Sequence, residues 1–386
     1  MELAGLRIAL FSGNYNITTD GANRALNRLV EYLQRQGVTV RAYSPTTDKP
    51  AFEPQGTLVH IPSVPIPLRA EYRLPLPLPA EAIADMAAFD PHVVHISSPD
   101  FAARSAVKWA RQRGKPVLAS VHTRFDTYLR YYHLGFLEPS LTAFIRTVYR
   151  QCDALVTPSE SMAQVLRDEG MNDDIGIWSR GVDRAVFDPA RRSLEWRRSL
   201  GIGDDEVAVG FLGRLVMEKG LDVFGAAVAE LRQRGVPHKV LVVGAGPAQE
   251  AFAEMVPDAI FAGFQSGTDL GRAVASMDML LNPSVTETFG NVTLEAMASA
   301  VPVIAARATG STSLVADGET GRLVDPADIA GYADALEAYC RDAALRAAHG
   351  AAGEVRSRAY SWDAINQAVA DVYLRLVNKA KNRKAA

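Results

Sequence analysis

The sequence has very little cysteine, no long apolar run and almost no net charge. Its two cysteines, Cys152 and Cys340, in a chain of 386 residues are too few to build a disulfide framework or a metal cluster by themselves. No stretch approaches the ~20 apolar residues of a membrane span, and the apolar run Leu6–Phe11 lacks the layout of a secretory signal. These absences favour a reducing, cytoplasmic location, in which any membrane contact would be peripheral, at the inner face.

Three further absences narrow the class of protein. A net charge of −3 argues against a general nucleic-acid-binding protein. No Gly-x-Gly-x-x-Gly follows the first predicted strand, which argues against a dehydrogenase. No Asp-x-Asp motif occurs in a setting that suits a metal, so we expect chemistry without a metal ion or other cofactor.

The pattern of strands and helices predicts two α/β domains in tandem. The length suggests two domains of ~150–200 residues, and alternating apolar strands and amphipathic helices indicate doubly wound parallel sheets. We place the domains at residues 1–182 and 183–360, with a final helix at 361–380. The six prolines between Ile61 and Pro79 predict an irregular connection, and a helix is predicted from Lys219 to Arg234.

The most informative segment runs from Glu287 to Glu295. It reads as a loop that follows a buried strand, then Phe289-Gly290-Asn291, then a helix that carries Glu295. Backbone N–H groups at a helix start favour phosphate or polar sugar oxygens. The two carboxylates could therefore bind hydroxyl groups at two ends of one extended ligand, with phosphate between them.

Two cations precede this segment and suit a diphosphate. Arg214 ends a predicted strand behind Gly213, and Lys219 stands at the predicted start of the next helix. Both side chains keep their charge, and a helix start would add donors. Glu295 could accept hydrogen bonds from ribose hydroxyls. Each residue alone could equally be an ordinary surface charge, but all of them follow strands of one predicted sheet.

Two residues of the first domain have open interpretations. Gly21 is either a simple helix entry or a point where a ligand approaches the backbone. His122 follows a predicted strand, where ligands of open α/β sheets bind, but an ordinary hydrogen-bonded histidine fits the position equally well.

Residues 103–150 contain nine lysines and arginines among Tyr128, Tyr131, Tyr132, Phe136 and Phe144. A solvated helix face is the commoner explanation. The alternative is a surface for an anionic acceptor or for anionic lipid headgroups.

The chain resembles the retaining nucleotide-sugar glycosyltransferases of family 4, which have the GT-B fold of two Rossmann-like domains facing across a cleft. The resemblance spans nearly the whole chain. It rests on Gly213–Gly220, Gly244–Pro247, Pro283–Gly290 with its Glu-x7-Glu spacing, and Asp317–Gly321. Trp178–Pro189 and the segment after His122 resemble the branch that transfers sulfoquinovosyl, glucuronosyl or mannosyl groups to lipids.

The resemblance implies a role for each candidate residue. It assigns Arg214 and Lys219 to the leaving diphosphate, Glu295 to the ribose, and Glu287 with the backbone of Phe289, Gly290 and Asn291 to the donor sugar. His122 would reach the sugar from the first domain, and Gly21 would face the phosphates. Gly213 and Gly263 would line the donor site, with the base near Gly263. The family loop usually has paired glycines, whereas this chain has Asp20-Gly21-Ala22.

The implied function is transfer of a hexose-type sugar, with retention, from a nucleoside-diphosphate sugar to a hydroxyl acceptor. A UDP-sugar is favoured as the donor, with GDP-mannose as the other choice, and the expected acceptor is a membrane lipid or lipid-linked glycan. Two alternatives share the architecture: a nucleotide-sugar 2-epimerase, which would need no acceptor, and a non-catalytic protein that binds nucleotide sugars.

Overall fold

The computed structural model describes residues 2–18, 21–66, 69–122 and 135–385. The chain divides into two compact units. Unit 1 consists of residues 1–179 together with 362–386, and unit 2 of residues 180–361. The last helix of the chain therefore belongs to unit 1.

Unit 1 is built on a seven-stranded parallel sheet. The sheet order is β3-β2-β1-β6-β7-β8-β9. Its strands are β1 (Arg7–Phe11), β2 (Thr39–Ser44), β3 (Thr57–His60), β6 (Val93–Ile96), β7 (Val117–Ser120), β8 (Ala154–Thr157) and β9 (Ile175–Ile177). Its helices are α1 (Gly21–Arg35), α2 (Ala80–Phe89), α3 (Phe101–Gln112), α4 (Glu138–Tyr149), α5 (Glu160–Asp168) and α14 (Trp362–Ala385), and a 3-10 turn at Gly135–Leu137 leads into α4.

The central strands of unit 1 are short apolar runs that are buried along their whole length. All residues of β6, β7 and β8 are buried. Parallel strands covered by helices on both faces have this pattern rather than an alternation of apolar and polar residues. The sequence prediction of a parallel α/β sheet is therefore confirmed here.

The proline-rich segment is more regular than its sequence predicted. Strands β4 (Ser63–Ile66) and β5 (Arg69–Pro75) pair antiparallel, so the prediction of an irregular connection from Ile61 to Pro79 was wrong. Prolines are tolerated in a two-stranded sheet because both strands are edges. The hairpin is fixed to the loop after β1 by Asn14. Its Oδ1 accepts a hydrogen bond from the Arg73 N–H at 2.8 Å, and its Nδ2 donates to the Arg73 carbonyl at 3.2 Å.

Unit 2 has a six-stranded parallel sheet with the order β12-β11-β10-β13-β14-β15. The strands are β10 (Ala208–Leu212), β11 (Lys239–Val243), β12 (Ile260–Gly263), β13 (Met279–Asn282), β14 (Val303–Ala306) and β15 (Gly321–Val324). The helices are α6 (Leu194–Ser199), α7 (Leu221–Gln233), α8 (Gln249–Met255), α9 (Gly267–Ala275), α10 (Asn291–Ala298), α11 (Ser311–Leu314), α12 (Ile329–Arg341) and α13 (Ala343–Ser357).

The segment after β10 differs from its prediction. Met217–Lys219 form a turn of 3-10 helix, and Gly220 then adopts the left-handed conformation with φ +73°. The α-helix begins only at Leu221, so the prediction that Lys219 starts the helix was wrong. Gly220 also lies against the loop that follows β13, because a Cβ on Gly220 would be 3.0 Å from the Pro283 carbonyl oxygen. Lys219 is thus presented by a turn ahead of α7.

Candidate active site

The order of strands in unit 2 creates a switch point between β10 and β13. From β10 the chain builds outward through β11 and β12, then returns to place β13 on the other side of β10. Ligands of such sheets bind beyond the carboxyl ends of the strands at this point. The segments that leave it carry Arg214 and Lys219 on one side, and Glu287 and Glu295 on the other. Strand order therefore places these four residues on segments that leave neighbouring strands of one sheet.

Direct contacts join the two segments. Lys219 Nζ donates to Glu287 Oε1 at 2.6 Å, and the side chains are 30% and 15% exposed respectively. Thr286 Oγ1 donates to the carbonyl oxygen of Glu218 at 3.2 Å. The candidate diphosphate cation is thus paired with the candidate sugar carboxylate.

A glycine packs against the backbone of the loop that carries Glu287. Gly310 has φ +89°, and a Cβ built on it would be 2.8 Å from both the Glu287 carbonyl oxygen and the Phe289 carbonyl carbon. Phe289 is buried, and its ring packs edge-on against Tyr360 with centroids 5.8 Å apart. Only glycine fits at position 310 without moving this loop. Gly310 was missed by sequence reasoning, because nothing in its local sequence reports which distant loop covers it.

Helix α10 begins immediately after this loop. Gly290, with φ +97°, precedes Asn291, the first helical residue, and supplies no side chain to cap the first N–H groups of the helix. Such groups attract anions and polar oxygens. Glu295 is half-buried on this helix. The buried Asn282 at the end of β13 donates to Thr293 Oγ1 at 3.1 Å, which fixes the start of α10 to the strand.

Arg214 remains available to a ligand. Its side chain is exposed, and no hydrogen bond or ion pair joins its guanidinium to any residue that the structure describes. Beside it, backbone hydrogen bonds join the ends of β10, β11 and β12. The Gly213 N–H donates to Val243 O at 3.0 Å, and the Gly244 N–H donates to Gly263 O at 2.9 Å. We call the backbone of Gly213, Gly244 and Gly263 the glycine surface. A Cβ on Gly244 would lie 1.9 Å from the Gly213 carbonyl oxygen, so this close approach requires glycine.

An exposed aromatic ring follows Gly263 at the edge of the glycine surface. Phe264 is 76% exposed, and a Cβ on Gly263 would meet no atom within 4 Å. The neighbouring Gln265 is tied back by a hydrogen bond from its Nε2 to the Ala262 carbonyl at 2.7 Å. An uncovered ring of this kind is a suitable surface for a flat ligand group.

His122 and Gly21 lie in unit 1. His122 is buried two residues beyond β7, and its ring stands edge-on to Trp178 with centroids 5.0 Å apart. Gly21 is the exposed first residue of α1. Of the basic and aromatic stretch, Arg124, Arg130, Tyr128, Tyr131 and Tyr132 lie outside the described residues, as does Asp20.

Unit 1 has its own switch point, between β1 and β6, and a carboxylate stands there that sequence reasoning missed. Asp100 caps α3, accepting hydrogen bonds from the Ala103 N–H at 2.8 Å and from Ser98 Oγ at 2.6 Å. Burial raises the pKa of Asp100 to about 6. The signal that could have found it is an acid directly between a buried strand and an amphipathic helix.

The described part of the chain lacks two features that would bear on function. No three of its His, Cys, Asp or Glu side chains are grouped so that they could hold a metal ion. None of the helices in those same ranges combines the length and apolar character that crossing a bilayer requires.

Two doubly wound parallel sheets, one with cations on one side of its switch point and carboxylates on the other, define the class of protein as one with the GT-B fold. Solved structures agree. The sucrose-phosphate synthase of Thermosynechococcus elongatus superposes with a TM-score of 0.78 at 21% identity, over 97% of this chain and all of that one. Anabaena HepE, solved in complex with UDP, gives a TM-score of 0.74 at 18% identity, over 96% of this chain and 100% of its own.

The family follows from sequence comparison. The family models for Glycosyltransferase Family 4 and Glycosyl transferases group 1 match residues 19–186 and 206–342. The chain is 32% identical to a GDP-mannose-dependent alpha-mannosyltransferase of Corynebacterium glutamicum, over 84% of this chain and 78% of the relative. It is 30% identical to the sulfoquinovosyl transferase SQD2 of Arabidopsis thaliana, over 93% and 71%.

A third relative is the alpha-monoglucosyldiacylglycerol synthase of Streptococcus pneumoniae, at 26% identity over 82% of this chain and 75% of the relative. The chain belongs to glycosyltransferase family 4, and it is an enzyme that transfers hexosyl groups. The GT-B fold and the glycosyltransferase activity expected from the sequence are thereby confirmed.

Proposed function

We propose that the protein transfers a hexose-type sugar from a nucleoside-diphosphate sugar to a hydroxyl acceptor, with retention of the anomeric configuration. The observation that carries this proposal is the grouping of Arg214, Lys219, Glu287 and Glu295 at one switch point of unit 2. Two cations and two carboxylates there match a ligand with a diphosphate in the middle and hydroxyl groups at both ends.

The diphosphate is the leaving group, and its charge grows as the bond from the anomeric carbon to the phosphate oxygen breaks. Arg214, which is exposed and without a partner among the described side chains, and Lys219 supply positive charge to it. Fixed donors aimed at developing charge are worth ~10²–10³ in rate each. We propose that these two residues and the start of α10 stabilise the leaving group without a metal ion.

The carboxylates bind the two ends of the donor. Glu295 accepts from the ribose hydroxyls, and Glu287 accepts from hydroxyls of the sugar once Lys219 has turned to the phosphates. The base lies on the glycine surface, near Gly263 and the exposed ring of Phe264. In this arrangement the new bond forms on the face that the diphosphate leaves. The departing phosphate takes the proton of the acceptor hydroxyl.

We assign two residues of unit 1 to the same donor. His122 binds the transferred sugar, and Gly21 allows the backbone at the start of α1 to approach the phosphates. The acceptor is a lipid or a lipid-linked glycan. The S. pneumoniae relative supports the lipid, since its name specifies a diacylglycerol product.

A UDP-sugar is our first choice of donor, and HepE, which has the same fold, was solved in complex with UDP. GDP-mannose is the second candidate, since the C. glutamicum relative is named as dependent on it. Both donors present the same diphosphate to Arg214 and Lys219.

Unit 1 carries a surface suited to anionic lipid. Phe136 is 75% exposed in the turn before α4, and Phe101, also exposed, lies 6.0 Å from the Phe144 ring. The neighbouring face of α3 presents Arg104 and Lys108 to solvent. Exposed aromatic rings beside basic side chains are typical of interfacial binding. We propose peripheral contact with an anionic membrane at this surface.

The test of the transfer reaction uses purified protein with UDP- and GDP-sugars, with and without a lipid extract. We expect acceptor-dependent release of nucleoside diphosphate, a product whose anomeric configuration by NMR matches that of the donor, and activity that EDTA does not abolish. Arg214→Ala should lower kcat ~10²–10³-fold. The control is Arg232→Ala, at an exposed arginine on α7. Release that never depends on an acceptor would contradict the proposal.

Vesicle sedimentation tests the membrane surface. Phe136→Ser and the double variant Arg104→Gln/Lys108→Gln should weaken binding to anionic vesicles and leave weak binding to neutral ones unchanged. Val355→Ser is the matched control, because Val355 is a comparably exposed apolar residue on a helix of unit 2. Equal losses for Phe136→Ser and Val355→Ser would count against this surface.

A further inference from the structure

Trp178 occupies an unusual position in unit 1. It directly follows β9, and its backbone N–H donates to the Thr157 carbonyl oxygen at 2.8 Å, which continues the sheet by one residue. Its side chain is 1% exposed. The boundary between the two units falls immediately afterwards, between Ser179 and Arg180. The indole is therefore the last large buried group of the sheet before the chain leaves unit 1.

The indole ring packs against two histidines. The His122 ring stands edge-on to it, with centroids 5.0 Å apart and an interplanar angle of 65°. The His95 ring lies 6.3 Å away at 61°. His95 is itself fixed by a 2.6 Å hydrogen bond between its Nδ1 and Tyr373 Oη on α14. Edge-on aromatic contacts restrict the orientation of both rings, so the Trp178 ring limits the orientations open to the His122 imidazole.

The orientation of the Trp178 ring is in turn set by the C-terminal helix. Its Nε1 donates to Asn366 Oδ1 of α14 at 3.3 Å, and Asn366 Nδ2 donates to the Arg28 carbonyl oxygen of α1 at 3.2 Å. Asn366 is 1% exposed. The Asn366 amide has one favourable orientation, because its oxygen accepts one hydrogen bond and its nitrogen donates the other. A flipped amide would place its nitrogen against the indole N–H donor and its oxygen against the Arg28 carbonyl oxygen.

We propose that Trp178, oriented by Asn366, is a positioning residue for His122, so that the C-terminal helix controls the geometry of the sugar-binding histidine. This inference rests on the role of His122 in the proposed function. It predicts a specific separation of effects. Loss of the Asn366 hydrogen bonds lowers kcat, whereas the affinity for nucleoside diphosphate, which is assigned mainly to Arg214 and Lys219 of unit 2, changes by at most about twofold.

The main variant is Asn366→Leu, which keeps the branched shape of the side chain and removes both hydrogen bonds. We expect kcat to fall about 10- to 100-fold, since small misplacements of a binding group have effects of that size. The Kd for UDP and GDP should stay within about twofold. In the variant, the ring resonances of His122 and the pH profile of kcat should both shift. Asn366→Asp, whose protonated form offers the same donor and acceptor, should recover most of the kcat.

The control is Arg375→Met. Arg375 also fixes α14 to the rest of unit 1, through an ion pair with Asp174 at 2.5 Å, and its guanidinium bonds to Asp174 rather than to Trp178. This variant should keep the wild-type kcat and His122 resonances. If Asn366→Leu melts well below Arg375→Met, Trp178→Phe serves as the second variant, because it removes only the indole N–H and part of the ring.

A double-mutant cycle with His122→Ala separates this inference from the proposed function. In the His122→Ala background, Asn366→Leu should cause almost no further loss of kcat. An undiminished loss there, or unmoved His122 resonances, would overturn the positioning role and leave the proposed function standing. A wild-type kcat for His122→Ala alone would instead overturn the assignment of His122 itself.

Discussion

Replacing Glu287 with glutamine tests whether Glu287 and a bound diphosphate compete for Lys219. Lys219 Nζ is 2.6 Å from Glu287 Oε1. If Lys219 serves the diphosphate, a bound nucleoside diphosphate competes with Glu287 for it. Glu287→Gln removes the competitor and keeps the shape of the side chain. The variant should therefore bind UDP or GDP more tightly than the wild type, although it transfers sugar more slowly.

The size of the effect follows from the exposure of the pair. An exposed ion pair contributes ~0.2–1 kcal/mol, and a hydrogen bond to a charged group ~1.5–3 kcal/mol. With side chains 30% and 15% exposed, this pair lies between the two cases, at about 1–2 kcal/mol. Since 1.4 kcal/mol is tenfold in Kd, we expect UDP and GDP to bind about 5- to 30-fold more tightly.

Isothermal titration calorimetry with UDP and with GDP measures the change. Glu218→Gln is the control, since it removes a charge from the residue next to Lys219 and leaves the Lys219–Glu287 pair intact. Lys219→Met should weaken binding, and Glu287→Gln should have no tightening effect when combined with it. Unchanged or weaker binding by Glu287→Gln would refute the reasoning, and so would equal tightening by Glu218→Gln.

Three further predictions concern the support of the site and of the fold. Gly310→Ala should weaken nucleotide-sugar binding and lower the melting temperature more than Gly318→Ala, because both glycines have positive φ but only a Cβ at 310 meets the Glu287 loop; equal effects would show that backbone strain alone is responsible. Asp278→Asn should cost about 3–5 kcal/mol in urea unfolding, because Arg197, fully buried, loses its countercharge, whereas Asp204→Asn, which breaks the exposed pair with Arg198, should cost at most ~1 kcal/mol; similar costs would refute the argument. Burial lowers the pKa of His95 to about 3, so below pH ~6.5 the unfolded state takes up a proton that the native state does not, and the free energy of unfolding decreases as the pH falls. Between pH 6.5 and 5, urea titrations should show that the double variant His95→Leu/Tyr373→Phe loses up to ~2 kcal/mol less unfolding free energy than the wild type. Parallel plots of unfolding free energy against pH for the two proteins would contradict this.

Much of this fold could be predicted because its signals are local. The strands Val93–Ile96 and Val117–Ser120 are mostly apolar and are buried along their whole length, and each is followed by polar residues and a helical pattern. Once the strands and their parallel order are known, the side of the sheet on which ligands bind follows from topology. Glu287 and Glu295 could therefore be predicted to follow the same strand, β13, on that side of the sheet.

The errors and omissions concern contacts between distant parts of the chain. The helix after β10 starts late because Gly220 packs under the Pro283 carbonyl, a constraint set by another loop. The hairpin Ser63–Pro75 forms where Asn14 offers its edge a donor and an acceptor. Neither contact, with Pro283 in the first case and Asn14 in the second, can be predicted from the sequence of the segment that it shapes. The role of Gly310 under the Glu287 loop was invisible for the same reason.

The pair between Lys219 and Glu287 also bears on how product leaves. A nucleoside diphosphate alone can draw Lys219 to its phosphates, but it then leaves the half-buried Glu287 carboxylate without a cation. A complete donor avoids this cost, because its sugar hydroxyls donate to Glu287 while its diphosphate accepts from Lys219. Transfer removes the sugar and restores the cost. Reformation of the pair would then favour release of the nucleoside diphosphate, so Glu287→Gln should retain its product longer, with a koff reduced by much the same factor as its Kd.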